Sequence, residues 1–405
     1  MDLGIEGGFN VFSKELNPSI HPDWCYETNN GITKLPRTSF QTIFANDIRP
    51  DAQSAWLNHF SKRGLPADDI YKLESIVNLV KAHDAGNHTI FPTGIDVVTG
   101  GFPCQDFSVA GKRQGFNSKK SHDGHKLSNE EIDACVETRG QLYIWMKNVI
   151  EICKPKLFIA ENVKGLVNLA DVKEIIEHDF RHAADKGYLV VPARVLMAAD
   201  YGVPQSRQRV IFIGFNKSML RPEALEALSK KNIPTEYDPY PVPTHSENPT
   251  GNILPYVTTY DVLSDLPEPE ESADKAQQKY SKAKYMGKHC QGQIEINLDG
   301  IGPTIRSEHH GNIEYRRLSK EHGGTHESEL NEGLPERRLT VRECARIQTF
   351  PDDYEFVFRN GYEGHSLNAT MGYKVIGNAV PPLLAYHIAK RLEENWDKYF
   401  FADNN

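Results

Sequence analysis

Two rhythms of apolar residues alternate along the first two thirds of the chain. One is a short, nearly continuous apolar run, as in "FQTIFAND" (40–47), "GIDVVTG" (94–100), "KLFIAEN" (156–162), "YLVVPARVLM" (188–197) and "RVIFIGF" (209–215). Runs of this kind, without strict alternation, predict strands covered on both faces, as in a parallel sheet. The other rhythm is helical: "PDAQSAWLNHF" (50–60), "GQLYIWMKNVIEIC" (140–153) and "DVKEIIEHDFRHAADKG" (171–187). The last of these closes on a glycine, where a helix stop is expected. Alternation of strand and helix predicts a doubly wound α/β sheet, with ligands at the carboxyl ends of its strands.

After Phe215 the patterning lapses. "IPTEYDPYPVPTHSENPTGNILPY" is rich in Pro, Asn, Thr and Gly, and residues 216 to about 337 hold no long period. Regularity returns at "RRLTVRECARIQTF" (337–350) and in a final helix, "PPLLAYHIAKRLEENW" (381–396), which opens on prolines at permitted first-turn positions. The chain is thus expected to leave a sheet domain (1–215), build a second, smaller, irregular domain (216–337) and return (338–405). Its 405 residues suffice for two domains.

Composition adds exclusions. Hydrophobic residues at 39% and charged residues at 25% are ordinary for a soluble globular protein. No run of apolar residues is long enough to span a membrane. The start, "MDLGIEGGFN", lacks a basic region followed by an apolar core, so no secretory signal is expected. Six scattered cysteines without a CxxC pair fit a reducing, cytoplasmic setting and give no zinc signature. The net charge of −9 argues against a generally basic nucleic-acid coat. Locally the balance reverses: Lys275 to Lys320 holds nine Lys or Arg against four Asp or Glu. That segment is either a solvated face or a patch for a polyanion.

Three places carry candidate chemistry. In "TGGFPCQDFSVAGKRQG" (99–115) Cys104 follows a strand and opens a polar loop. It is either an inert strand-end thiol or a nucleophile, active as thiolate in an electropositive setting. Gly100 and Gly101 let another molecule approach the backbone, and the polar stretch from Val109 to Arg139 is able to close like a lid. In "FIAENVKGL" an apolar strand runs into Glu161 and Asn162. Glu161 is either a desolvated proton donor or a carboxylate paired to a lysine. In "YGVPQSRQRVIFIGF" Arg207 and Arg209 stand two apart at a strand start, so both are expected on one side. They read as a clamp for a phosphate or a base edge, or as surface arginines.

The order of these segments resembles the cytosine-5 DNA methyltransferases. "GGFPCQDFS" is similar to that family's nucleophile motif, "ENV" to its base-binding motif and "QSRQR" to its arginine motif. "RRLTVRECARIQTFPDDY" (337–354) and "GNAVPP" (377–382) are similar to its last two motifs, and "IFANDIRPDAQSAW" to a cofactor-side one. The resemblance implies a doubly wound, Rossmann-like methyltransferase sheet with a target-recognition domain at 216–337. It implies methyl transfer from S-adenosylmethionine, leaving S-adenosylhomocysteine, to carbon 5 of a flipped-out cytosine in a specific duplex sequence. The same chemistry on tRNA, and a catalytically silent DNA-binding relative, are the alternatives.

Residue by residue, the resemblance implies that Cys104 attacks carbon 6 and that Glu161 binds ring nitrogen 3 and supplies a proton. Asn162 holds the strand end. Arg207 contacts the base's carbonyl oxygen, with Arg209 in support. For the cofactor it implies Gly7, Gly8, Phe9, Asp47, Ile48, Ser75, Ile76, Pro103, Leu142, Asn378 and Ala379. No metal is implied: His309 and His310 lack further His or Cys at ligand spacing. For DNA contact the expected residues are Gln105, Lys112 and Arg113 after the nucleophile. In the recognition region they are Arg306, His309, His310, Arg316, Arg317 and Arg338. A monomer is expected, paired in function with a cognate restriction endonuclease.

This sequence departs from the family pattern at its start. Leu3 stands where Phe is usual and Ile5 where an earlier Gly is usual, and the strand before them is almost absent. The expectation is either a start that is truncated or altered, or a weak hold on the methionine tail of the cofactor. "LESIVN" lacks the Asp of a usual Asp-Ile pair, and residues 117–137 read as an insertion.

Overall fold

The computed structural model describes residues 1–25, 27–102, 142–168, 172–184, 186–307 and 311–402. It begins with a short helix, α1 (Asp2–Glu6), that packs on the far end of the chain. A small antiparallel sheet follows, ordered β1 (Asn10–Phe12), β3 (Ile32–Lys34), β2 (Glu27–Asn29). Next, β4 (Ala45–Asp47) leads into α2 (Pro50–Phe60), with Pro50 at the first turn, where its missing N–H costs no bond. β5 (Tyr71–Leu73) pairs parallel to β4 and leads into α3 (Ile76–Asp84).

The main sheet comes next. β6 (Val97–Gly101), α4 (Leu142–Cys153) and β7 (Leu157–Val163) place two parallel strands side by side. After α5 (Val172–Arg181) come β8 (Tyr188–Val190), β9 (Arg194–Met197) and β10 (Gln208–Asn216). The predicted strand 188–197 divides in two at Pro192, which lacks an N–H for the ladder. β10 lies between β7 and β8 and runs antiparallel to β7, β8 and β9. The sheet is therefore mixed, although the apolar runs suggested parallel strands. The reason is visible in the packing. Leu157, Ile159, Ile211, Ile213 and Phe215 enter one core, while Phe158, Ala160, Val210 and Phe212 enter another on the opposite face. Burial on both faces reports that helices cover the sheet; it carries no information about strand direction.

Residues 216–337 contain β11 (His245–Ser246), β12 (Leu254–Pro255) and β13 (Tyr315–Arg317), joined by irregular chain and three short helices, Pro222–Leu228, Thr259–Leu263 and Glu327–Asn331. β13 pairs with β14 (Arg337–Arg338). Then α6 (Val341–Ile347) starts from a capping box: Glu343 N donates to Thr340 Oγ1 at 3.0 Å, and Thr340 N donates to Glu343 Oε2 at 2.8 Å. α7 (Ala369–Asn378) is capped by Asn368, and α8 (Pro382–Glu394) buries residues around most of its surface, including Leu383, Tyr386 and Ile388. No helix among the described residues is long and apolar enough to cross a membrane.

Candidate functional site

The carboxyl ends of β6 and β7 bring the first group together. Their register sets Gly101 beside Glu161. A Cβ on Gly101 would lie 3.1 Å from Glu161 Oε2, so the carboxylate occupies the space that this glycine leaves open. On the other side, β10 pairs Ile211 with Glu161 and Arg209 with Val163. Arg209 is thus the diagonal neighbour of Glu161 on one sheet face, a separation that a long side chain bridges. Its Nε sits 2.6 Å from Glu161 Oε1, with both side chains close to nine-tenths buried. Asn162 points the opposite way and is buried; its Nδ2 donates to Phe102 O at 3.2 Å. It thereby fixes the backbone two residues before Cys104. Cys104 itself lies outside the described residues, as do Pro103, Gln105, Lys112, Arg113, His309 and His310.

Arg207 does not join Arg209. It precedes the first residue of β10, and its side chain is fully buried. Nη1 donates to Ile305 O at 2.8 Å, and Nη2 donates to Gly377 O and Ala379 O, each at 2.8 Å. In this arrangement its two Nη groups tie the start of β10 to the segment around Ile305 and to the end of α7. Sequence reading also missed two buried glutamines in the same junction. Gln205 accepts from Ile305 N at 3.1 Å and donates to Gln348 Oε1 at 3.1 Å, while Gln348 donates to Ile376 O and Ala379 O. This network joins the start of β10, the segment around Ile305, and the ends of α6 and α7.

On the cofactor side, Asn46 Nδ2 donates to Lys72 O and Glu74 O, both at 2.8 Å, locking the end of β4 to that of β5. That sets Asp47 and the exposed Ile48 near Ser75, which is buried at the start of α3, and Ile76. Burial pushes the Asp47 carboxyl above its ordinary range, despite N–H donors from Arg49 and Ile48. A cavity of about 450 Å³ opens just beyond, lined by Arg49, Pro50, Asp51, Ser307, Met371, Lys374 and Asn378. A carboxyl, an exposed apolar side chain and an adjoining cavity fit a nucleoside. Leu142 opens α4, and Ala379 follows α7 with its carbonyl on Arg207.

The glycine pair fits less well. Gly7 and Gly8 both have positive φ, but a Cβ at Gly7 would lie 2.4 Å from Pro36 O, and one at Gly8 2.7 Å from Arg37 Cγ. This chain's own residues fill the room that those glycines provide, and Phe9 is buried edge-on against Tyr386. The two glycines thus let the chain pass close to Pro36 and Arg37.

The arginines expected at DNA are also placed otherwise. Arg317 and Arg337 both pair with Glu268, and Arg337 also holds Glu343 at 2.9 Å. Arg316 and Arg317 share Glu329. Burial pushes the Glu268 carboxyl up, yet Arg337 and Arg317 outweigh it and hold the group at about 2. Arg338 is buried and donates to the carbonyls of Ala283, Lys284, Gly292 and Ile313. Arg306 holds Gln291, Asn312 O and Glu314. Arg316, Arg317 and Arg338 are therefore internal struts in this structure. Their carboxylate and carbonyl partners lie up to 55 residues away, as from Arg338 to Ala283 O, too far for local patterning to reveal. No group of three or more His, Cys, Asp or Glu among the described residues could hold a metal ion.

A mixed α/β sheet buried on both faces, with a glutamate–arginine pair at its strand ends, is the architecture of a Rossmann-like methyltransferase. The sequence profile of C-5 cytosine-specific DNA methylases matches residues 30–394, and this chain belongs to that family. It is a DNA cytosine-5 methyltransferase. It is 30% identical over 371 residues to the Type II methyltransferase M.BsuRI of Bacillus subtilis, covering 89% of this chain and 69% of that one. It is 32% identical over 362 residues to the Type II methyltransferase M.BspRI of Lysinibacillus sphaericus, covering 88% and 70%. In fold it is similar to the S. pombe Dnmt2 methyltransferase (TM-score 0.51, 17% identity, 87% of this chain and 91% of that one).

Proposed function

We propose that this enzyme methylates cytosine in a specific duplex DNA sequence through a covalent adduct with Cys104, as the protective half of a restriction–modification pair. The observation that carries the proposal is the Glu161–Arg209 pair, set beside Gly101 and the Phe102 carbonyl that Asn162 holds. Residues 216–337 serve as the target-recognition domain, and 1–215 with 338–405 as the catalytic domain.

The Cys104 thiolate adds to carbon 6 of the ring while Glu161 gives a proton to nitrogen 3. This step breaks the 5,6 double bond and leaves an enamine whose carbon 5 is nucleophilic. Asp47, Ile48 and Asn378 would hold the nucleoside end of S-adenosylmethionine, which would bring the methyl group that carbon 5 takes up. Loss of the carbon 5 proton to solvent then restores the double bond and expels the Cys104 thiolate, and nitrogen 3 returns its proton to Glu161. Arg209 keeps Glu161 aimed at the ring and stands nearest to the base's carbonyl oxygen in this scheme. The base must leave the stack to reach these groups, which costs a few kcal/mol.

The test is transfer of label from S-adenosylmethionine to duplex DNA, followed by a duplex with 5-fluorocytosine at the target. The fluorinated duplex should trap a covalent complex in the wild type and none in Cys104→Ala. Label in tRNA alone, or duplex binding without transfer, would overturn the reading.

A further inference from the structure

The arginines of the basic segment are spent on internal carboxylates and carbonyls, which leaves its lysines to be explained. Residues 279–292 contain four lysines and no Asp or Glu, in a chain of net charge −9. Lys279, Lys282, Lys284 and Lys288 are all exposed, and none forms an ion pair with a described residue. From 282 to 288 exposure alternates: Lys282, Lys284, Met286 and Lys288 face solvent, while Ala283, Tyr285 and Gly287 are partly covered. The chain is not part of a sheet here and turns at Gly287, whose φ is 92°, so these lysines share a short solvent-facing stretch of backbone on either side of that turn.

The covered side explains why that stretch is held in place. Arg338 donates to the carbonyls of Ala283 and Lys284 on one leg and to Gly292 O on the other. Gln293 Oε1 accepts from Met286 N at 2.9 Å, and Tyr285 stacks on His322 with centroids 4.2 Å apart. The stretch is also tied to the reaction site. Arg306 reaches Gln291, the neighbouring Ile305 is held by Arg207, and Arg207 stands two residues from Arg209.

We propose that Lys282, Lys284 and Lys288 contact the phosphate backbone of the bound duplex, contributing affinity without sequence preference. The inference rests on the function proposed above and adds to it a phosphate-binding site. Exposed lysines without ion-pair partners among the described residues, close together on a pinned segment of an acidic protein, are complementary to a polyanion. Neutralising phosphates releases counterions and makes binding salt-dependent.

The experiment measures affinity for a target duplex and a non-target duplex from about 50 to about 200 mM salt. The wild type is compared with the triple variant Lys282→Gln, Lys284→Gln, Lys288→Gln. The slope of log affinity against log salt should fall by about 0.9 for each phosphate left unneutralised, roughly 2 to 3 in all. Affinity should fall by a similar factor on both duplexes. Lys34→Gln with Lys186→Gln, two exposed lysines outside residues 216–337, should leave the slope unchanged. An unchanged slope in the triple variant, an equal change in the control pair, or a loss confined to the target duplex would overturn the proposal. Methyl transfer by the wild type is scored in the same preparations. Transfer with an unchanged slope removes the lysine site alone, whereas absent transfer removes the underlying reading.

Discussion

Arg209, not Arg207, holds Glu161, with Nε 2.6 Å from Oε1 at the open end of the sheet. Two arginines separated by one residue consequently do different work. Arg209→Lys keeps a positive charge but loses the planar fork that aims the carboxylate. We expect kcat to fall by about 10²-fold, comparable to removing one preorganised donor, with little change in melting temperature. Arg207→Lys should behave in the opposite way. An ammonium group cannot span Ile305, Gly377 and Ala379, so buried carbonyls lose their donors at about 1–3 kcal/mol each. The melting temperature should drop by several degrees, with a smaller effect on kcat in the molecules that remain folded. Steady-state kinetics and thermal melts on the two variants check the assignment; similar profiles for both would refute it.

The sequence shows why Glu161 was legible and the arginine roles were not. An apolar run that ends abruptly in Glu-Asn marks a strand end with a polar purpose, and β7 ends there. The difference between Arg207 and Arg209 depends on where β10 starts, at Gln208, and strand boundaries are the least legible feature of a pattern. The internal pairing of the recognition arginines was illegible for another reason. A cluster such as Arg316–Arg317 looks the same in sequence whether it faces phosphates or internal carboxylates. Glu268, Glu329 and Glu343 decide the matter, and they meet only in the fold. Likewise, the glycine pair at the start displays the right residues, yet Pro36 and Arg37 occupy the space beside it.

Gly101 offers a direct probe of the carboxylate's position. A methyl group there would lie 3.1 Å from Glu161 Oε2 and 3.9 Å from Glu161 O. The first distance is tighter than an ordinary contact, so the carboxylate must shift by a few tenths of an ångström. The backbone at Gly101 does not have positive φ, and strain is therefore not the issue. Gly101→Ala should preserve folding, since the residue is exposed, while lowering kcat by about 10-fold or more through misplacement of the acid. Methylation rate and the melting curve together check this. A variant with full activity would show that the Glu161 position seen here is not the working one.

Glu15 yields a prediction about pH. It is buried, its Oε2 accepts from Phe12 N at 2.8 Å, and its Oε1 has no hydrogen-bond partner among the described residues. Burial pushes its carboxyl up to about 8, against the opposing effects of the Phe12 N–H and the Arg346 charge. The unfolded chain releases this proton near 4.5, the ordinary value. Between those two points the unfolded state is ionised while the folded state is not, so the group makes folding progressively less favourable as pH rises from 4.5 to 8. Glu15→Gln retains an oxygen for Phe12 N and cannot ionise. Urea unfolding from about pH 5 to about pH 9 should show the variant gaining on the wild type across that window. The gap should reach the order of a few kcal/mol at the alkaline end. Buried histidines such as His21 and His245, held near 4 by desolvation, favour folding as pH rises toward 6.5, but they are common to both proteins and cancel in the difference. A difference that stays constant with pH would mean that Glu15 is ionised in the folded protein.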